Sequence, residues 1–290
     1  MIFSKLRRSG LSLLLSIVLL FALCASTAWC ITMKERYDET DVFIKDNKLF
    51  TGSEQFFIKG LNYSPQPLGR SKTAGLCSRK VNYEGVFYNA CYFEDYFDGV
   101  VSDNRGSPAP QGPWWQGVWD RDFPIFQELG ANTIRIYHME SFTKKLFEKF
   151  PGVYPNYEKF KDYAADHTTF MDTAHKHNIK VIVPIVAEEA ILTLFTDDDL
   201  QRFIEARVDE IGNHPALLMW SVGNELGLFT KPELRSIVAR MIVKVREYTY
   251  KKWNRIIPVT TFEVDLPQSY NLLMAELDVD LFATNAGYRD

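Results

Sequence analysis

The sequence predicts an α/β protein built on a parallel (β/α)8 barrel, with about six of the eight strands present. Three observations lead there. From residue 120 onward, short continuous apolar runs alternate with segments of helical period, the pattern of a parallel sheet covered on both faces. No Gly-rich phosphate loop follows the first run, which disfavours a doubly wound nucleotide-binding fold. The run at residues 217–222 ends on Gly223, Asn224 and Glu225, and the C-terminal ends of barrel strands are where such folds build their sites.

The elements follow in order. Two short apolar runs, residues 42–44 and 56–58, are separated by the turn pairs Asp46-Asn47 and Thr51-Gly52, which predicts a small hairpin leading into a first strand at 57–63. An irregular excursion rich in Gly, Pro, Tyr and Asn runs from Ser64 to about Trp119. A loop of that length inside a compact domain is usually functional. Trp114, Trp115 and Trp119 within it either wall a cleft or pack the loop down. Phe123, Phe126 and Leu129 recur at helical spacing before Gly130, a suitable residue just past a helix end. Strands are then expected at 132–137, 180–186, 217–222, 256–262 and 280–284, with helices at 168–177, 200–211, 230–250 and 269–277. Thr230-Lys-Pro-Glu233 has the form of a capping box. A closed barrel of this type needs eight strands, and an open six-stranded sheet would expose two edges. The expectation is therefore a piece of a longer polypeptide or a truncated product.

Composition narrows the class. Net charge is −4, with 46% hydrophobic and 24% charged residues. That is ordinary for a globular protein and carries no basic footprint for nucleic acid. Lys5, Arg7 and Arg8 precede an apolar stretch at 11–23, and Ser26 and Ala28 fall at small-residue spacing. This has the form of a cleaved signal peptide. The run between Arg8 and Lys34 lacks any charge and is also long enough to anchor in a membrane if uncut. The division expected is residues 1–30 as leader or anchor, 31–41 as linker and 42–290 as partial barrel, secreted or held outside the cytosol. Cys77 and Cys91 are the two cysteines of the body. In an oxidising compartment they are expected to pair, contributing roughly 3 kcal/mol in the chain-entropy account; the alternative is two buried thiols. Asn62-Tyr63-Ser64 is a formal glycosylation sequon, but a folded strand end would hinder access.

A carboxylate ending a buried strand needs a reason, because burying an unpaired charge is costly. Glu225 either caps or pairs locally, or does chemistry. Four motifs occur in order: Phe57-Ile-Lys-Gly-Leu-Asn-Tyr-Ser64, Leu129-Gly-Ala-Asn-Thr-Ile-Arg-Ile136, His214-Pro-Ala-Leu-Leu-Met-Trp-Ser-Val-Gly-Asn-Glu225 and Asp280-Leu-Phe-Ala-Thr-Asn285. Together they resemble the retaining (β/α)8 glycoside hydrolases, most closely the catalytic barrel of family 2. The first two motifs also look like the family 72 β-1,3-glucanosyltransferases, which share the Gly-Asn-Glu ending. The resemblance spans roughly residues 56–290.

It implies a β-linked sugar or polysaccharide as substrate, no cofactor and no metal. Glu225 takes the place of the general acid/base, protonating the glycosidic oxygen as the bond breaks and then recovering a proton. Asn224 takes the place of the residue that binds the 2-hydroxyl, and Arg135 that of the residue holding the nucleophile ionised. Tyr63, His138, Asn285 and Tyr288 are further substrate-side candidates, His138 being as readily a core or surface residue. Glu188, Glu189, Glu263 and Asp265 follow strands and are more readily solvated loop charges. Trp220 lies inside a strand and is expected in the core. Retaining enzymes need a second carboxylate about 5 Å from the first. In family 2 it is a Glu after the seventh strand, and no Asp or Glu in these 290 residues inherits that place by motif, so the chain alone is expected to be inactive. The β-sandwich domains that precede the family 2 barrel have no counterpart here either.

Two other readings compete. A metal-dependent hydrolase would want a His cluster at a strand end. His175-Lys-His177 lies instead on a predicted helix, where positions i and i+2 point to different faces. A non-catalytic carbohydrate-binding barrel is the other.

Overall fold

The structure is a computed structural model. It describes residues 41–64, 80–83, 86–89, 97, 101–103, 107–108, 114–137, 139, 167–187, 189–264 and 267–285. The leader, Cys77 and Cys91 lie outside them. The unit comprising residues 40–290 contains everything that follows.

A hairpin comes first. Strand β1 (Val42–Lys45) pairs antiparallel with β2 (Lys48–Thr51), and β2 with β3 (Glu54–Gln55). Asp46 and Asn47 both take positive φ, 51° and 58°, as a two-residue hairpin turn of the primed type requires. The Phe43 and Phe50 rings stack at 5.3 Å. The Val42 amide donates to Ile256 O at 3.0 Å, and Asp41 Oδ1 accepts from the Ile256 amide at 3.2 Å. The hairpin is thereby pinned just ahead of the strand at 259–264.

The central sheet has six parallel strands: β4 (Gly60–Tyr63), β9 (Thr133–Ile136), β10 (Lys180–Val186), β11 (Leu217–Asn224), β12 (Val259–Val264) and β13 (Leu281–Asn285). Their spatial order is their chain order. Each strand is added beside its predecessor with no reversal, which is barrel winding rather than the doubly wound pattern with its switch point. Two short antiparallel pairs, β5 (Lys80–Tyr83) with β6 (Val86–Asn89) and β7 (Val101–Asp103) with β8 (Ser107–Pro108), fall in the excursion after β4, which the sequence reading takes as irregular.

The inner strands β10 and β11 read as continuous apolar runs because both faces are covered. Every residue of β10 after Lys180 is buried, and so is every residue of β11 before Asn224. Pro184 sits inside β10 although proline cannot donate to a ladder. Pairing with β9 has ended at Ile182, while Pro184 still pairs with Ser221 of β11 and the register shifts just after it, so the proline sits where one ladder has ended and the other is about to break.

Helices α1 (Trp114–Glu128), α2 (Thr168–Lys176), α3 (Glu189–Leu194), α4 (Asp197–Ile211), α5 (Pro232–Trp253) and α6 (Pro267–Glu276) complete the described elements. Helix α1 starts eight residues before the predicted 122, because Trp119 is core: it is fully buried and meets Phe170 of α2 edge-on at 5.2 Å. Of the two alternatives for Trp119, packing is the one the structure has. Trp114 and Trp115 lie on the same helix. Trp220 is core as expected, fully buried with Nε1 donating to Thr249 Oγ1 of α5 at 3.1 Å. The capping box is present at a different helix. Thr196 and Asp199 cap α4 reciprocally. Helix α5 starts after Lys231 with no side-chain cap and with Pro232 in its first turn, a position where the missing amide is harmless. The Thr230 hydroxyl donates instead to Gly227 O at 3.2 Å. No helix among the described residues is long and apolar enough to cross a membrane.

One contact tests this packing directly. At Gly212, just after α4, an added Cβ would lie 2.5 Å from Val208 O and 2.9 Å from the Trp253 ring, while Trp253 Nε1 donates to Val208 O at 2.7 Å. Backbone cannot yield as a flexible side chain can. Gly212→Ala is expected to destabilise the domain by about 1–3 kcal/mol, as overpacking does, read from urea denaturation midpoints; an unchanged midpoint would contradict the packing of α4 against α5.

Candidate active site

Strand β11 carries the site because its last turn leaves the regular ladder. Gly223, Glu225 and Gly227 all take positive φ, 86°, 51° and 66°. For the two glycines that conformation is inexpensive. A Cβ at Gly223 would also run into the Leu226 side chain, so that position requires glycine. Glu225 is the exception. A residue with a Cβ held in the left-handed region costs roughly 1–2 kcal/mol, and strain of this kind gathers at functional sites.

The neighbouring strand β12 holds the turn in place. The Glu225 amide donates to Phe262 O at 2.8 Å. The next residue of β12, Glu263, is buried. Its Oε1 accepts from the Leu226 amide at 3.2 Å and its Oε2 from the Gly227 amide at 3.1 Å. The Glu225 side chain itself is exposed. The burial argument that singled out Glu225 in the sequence therefore belongs to Glu263, one strand along. The expectation that Glu263 is a solvated loop charge is corrected: it is a buried carboxylate ending a strand.

Arg135 lies at the end of β9, 6% exposed, and Nη2 donates to Asn224 Oδ1. Its guanidinium carbon sits 3.4 Å from the centre of the Phe262 ring and 4.4 Å from that of Tyr137. Guanidinium stacks on aromatic faces where a lysine ammonium could not match both the stacking and the planar fork. Burial pulls its pKa below the ordinary arginine value, opposed by Tyr137 and by the charge of Glu225; arginine stays charged in proteins regardless. Arg135, Asn224 and Glu225 thus come together at the C-terminal ends of β9 and β11.

The other sequence candidates fare differently. Tyr63 is buried against α1: its hydroxyl donates to Asp122 Oδ2 at 2.9 Å, and its ring meets Phe97, Phe123 and Phe126. Burial and the charge of Asp122 push the phenol well above its usual range. It faces the helix layer, away from Arg135, which corrects its place among the substrate-side residues. The β4–β9 register pairs Asn62, not Tyr63, with Arg135, and paired residues of a parallel sheet share a face. Asn62 is exposed there, and the alternation within Leu61-Asn62-Tyr63 is the signal that could have found it. Asn285 ends β13 level with Val264. Glu189 opens α3 rather than lying in a loop, and its Oε2 meets Lys231 Nζ at 2.5 Å. His138, Glu188, Asp265 and Tyr288 lie outside the described residues. Among the described residues no group of three or more His, Cys, Asp or Glu is arranged to hold a metal ion.

With this geometry in place, comparison with known proteins gives one kind of match. No protein-family model matches the chain, and no curated protein sequence does. Solved structures do. Saccharomyces cerevisiae Gas2p in complex with laminaripentaose superposes with a TM-score of 0.55 at 20% identity, over 87% of this chain and 49% of that one. A Gas2 complex with a compound numbered 6 gives 0.53 at 20% identity, over 88% and 50%. The fold is shared. The chain spans about half the length of these structures.

Burial pushes the Glu263 carboxyl above the ordinary glutamate range; the amides of Gly227, Leu228 and Leu226 oppose this, and the charge of Glu225 adds to it. The folded state therefore binds this proton more tightly than the unfolded chain. The stability the group carries is full below the unfolded pKa, about 4.3, and is lost as pH rises through the raised folded value. Urea midpoints of the wild type are expected to contain a falling component across that window which Glu263→Gln removes. An identical slope in both proteins would contradict the buried placement of Glu263.

Proposed function

We propose that this chain is the acid/base-bearing part of a retaining barrel that acts on β-linked glucan, closer to the family 72 glucanosyltransferases than to family 2. The observation that carries the reading is the junction of Arg135, Asn224 and Glu225 at neighbouring strand ends. Support for the family comes from the first two motifs and the Gly223-Asn224-Glu225 ending, and Gas2p shares the fold. The solved complex of Gas2p with laminaripentaose points to a β-1,3-linked glucose oligomer as ligand class.

In this reading Glu225 gives a proton to the glycosidic oxygen while a carboxylate attacks the anomeric carbon and the leaving sugar departs. It then takes the proton from the incoming acceptor as that acceptor's oxygen displaces the carboxylate. When the acceptor is a sugar hydroxyl the outcome is transfer; when it is water, hydrolysis. Exposure of Glu225 suits a group that must meet a polymer. In the same reading Asn224, which accepts from Arg135, binds the 2-hydroxyl, a contact that strengthens in the transition state. Double displacement also needs a nucleophile about 5 Å away, for which the motifs of this chain name no residue. Glu263 does not suit the role, since both its oxygens accept backbone amides. Residues 1–30, with their basic start and apolar run, support delivery to the secretory route, where such a polymer is met.

Titration of the isotope-labelled chain with laminaripentaose is expected to shift the NMR signals of Asn224, Glu225 and the Arg135 side chain. Asn224→Ala is expected to weaken binding by roughly 1–3 kcal/mol, the range for leaving a polar partner unmet. In any form with measurable turnover, Glu225→Gln is expected to lower the rate by about 10²–10⁴, as loss of general acid catalysis does. No shift at any glucan concentration, or turnover unchanged by Glu225→Gln, would remove the reading.

A further inference from the structure

The turn after β11 has a shape that calls for an anion. Glu225 and Gly227 at positive φ flank Leu226, and successive amides in such a segment converge to make a small concave site for negative charge. The chain fills that site itself: the amides of Leu226 and Gly227 point at the two oxygens of Glu263, 3.2 and 3.1 Å away. The Glu263 carboxylate is buried, 2% exposed, and it comes from a different strand, 36 residues on from Gly227.

We propose that Glu263 is a positioning residue for Glu225: its carboxylate occupies the turn's anion site and so fixes the backbone from which the Glu225 side chain projects. This rests on the reading of Glu225 as the acid/base. β12 grips the turn at two successive residues. Phe262 O takes the Glu225 amide, at 2.8 Å, and Glu263 takes the next two. Phe262 also presents its ring to the Arg135 guanidinium at 3.4 Å, and Arg135 in turn holds Asn224. A single strand end thus sets both residues of the Asn224-Glu225 pair, Asn224 through a side-chain chain and Glu225 through its backbone. A purely structural carboxylate would be ill chosen for this place. It is desolvated, it faces the like charge of Glu225, and carbonyl-bearing neutral side chains could accept an amide without either penalty. What a carboxylate adds is two equivalent acceptors in one plane, which match two successive amides.

The test is Glu263→Gln, which keeps shape and one acceptor but turns an NH2 towards one of the two amides. Amide hydrogen exchange at Leu226 and Gly227 is measured alongside laminaripentaose affinity, in the wild type, Glu225→Ala, Glu263→Gln and the double variant. Glu263→Gln is expected to melt near the wild type, to exchange both amides at least tenfold faster and to bind the pentasaccharide at least threefold more weakly. In the Glu225→Ala background the same change is expected to cost no further affinity, the non-additivity that residues acting through one another show. If Glu263→Gln fails to fold, Gly227→Ala serves. Its Cβ would meet nothing closer than Lys231 Cε at 3.9 Å, so it disturbs only the left-handed backbone, and it is expected to weaken binding in the same way. Unchanged exchange at Leu226 and Gly227, or an affinity loss that adds fully to that of Glu225→Ala, overturns the proposal and leaves the glucan reading standing. Absence of pentasaccharide binding in the wild type overturns the glucan reading instead, while the exchange data still decide whether Glu263 holds the turn.

Discussion

The site depends on how β11 hands over to its neighbour. Seven successive residues of this strand are buried. The chain then turns through three left-handed positions in five residues. Backbone in that state does not hold itself: the amides of such a turn are not taken by a ladder, and buried amides need partners. β12 supplies them, through the Phe262 carbonyl and the Glu263 carboxylate. That handover holds the backbone at Glu225, whose charge lies near the Arg135 guanidinium.

The remainder of the fold serves to bring β9, β11 and β12 into register. Chain order and spatial order coincide in the sheet, so each strand's C-terminal end opens to the same side. Arg135, from one end, can then reach Asn224 two strands away and stack on Phe262 three strands away. The guanidinium spans that distance because β9 and β12 curve towards one another, as strands wound in barrel fashion do. On the outer face, Trp220 and Trp253 bond to α5 and α4 respectively, locking the helices that keep these strand ends from sliding.

Much of this was legible in the residues. The six strands are found close to where the sequence predicts them, and most plainly for β10 and β11, whose burial on both faces leaves a continuous apolar run. Arg135, Asn224 and Glu225 do meet, because a polar residue ending such a run can only point into the site or out to solvent. What escaped reading has physical causes. Tyr63 reads as a site residue from its position in a motif, but register puts its neighbour Asn62 on the face of Arg135, and a one-residue difference moves a side chain to the opposite face. Trp119 reads as loop because Gly and Pro crowd the residues before it, yet its buried contact with Phe170 makes it core. The expected capping box at Thr230 does not form because the helix starts one residue later, after Lys231, and the Thr230 hydroxyl bonds locally to the Gly227 carbonyl. Glu263 could not be separated from an ordinary loop charge, because its partners are backbone amides that leave no trace in composition.

Central to the site is the proposal that Glu225 is the proton donor to a glucan bond, held by the end of β12. A crystal structure of the chain with laminaripentaose tests it most directly. The expected result is a Glu225 carboxyl oxygen within hydrogen-bond reach, about 2.6–3.2 Å, of a glycosidic oxygen, with Asn224 on the 2-hydroxyl of the adjoining sugar and the Leu226 and Gly227 amides still on Glu263. A pentasaccharide bound elsewhere, or bound over these strand ends with Glu225 turned away from every glycosidic oxygen, would contradict it.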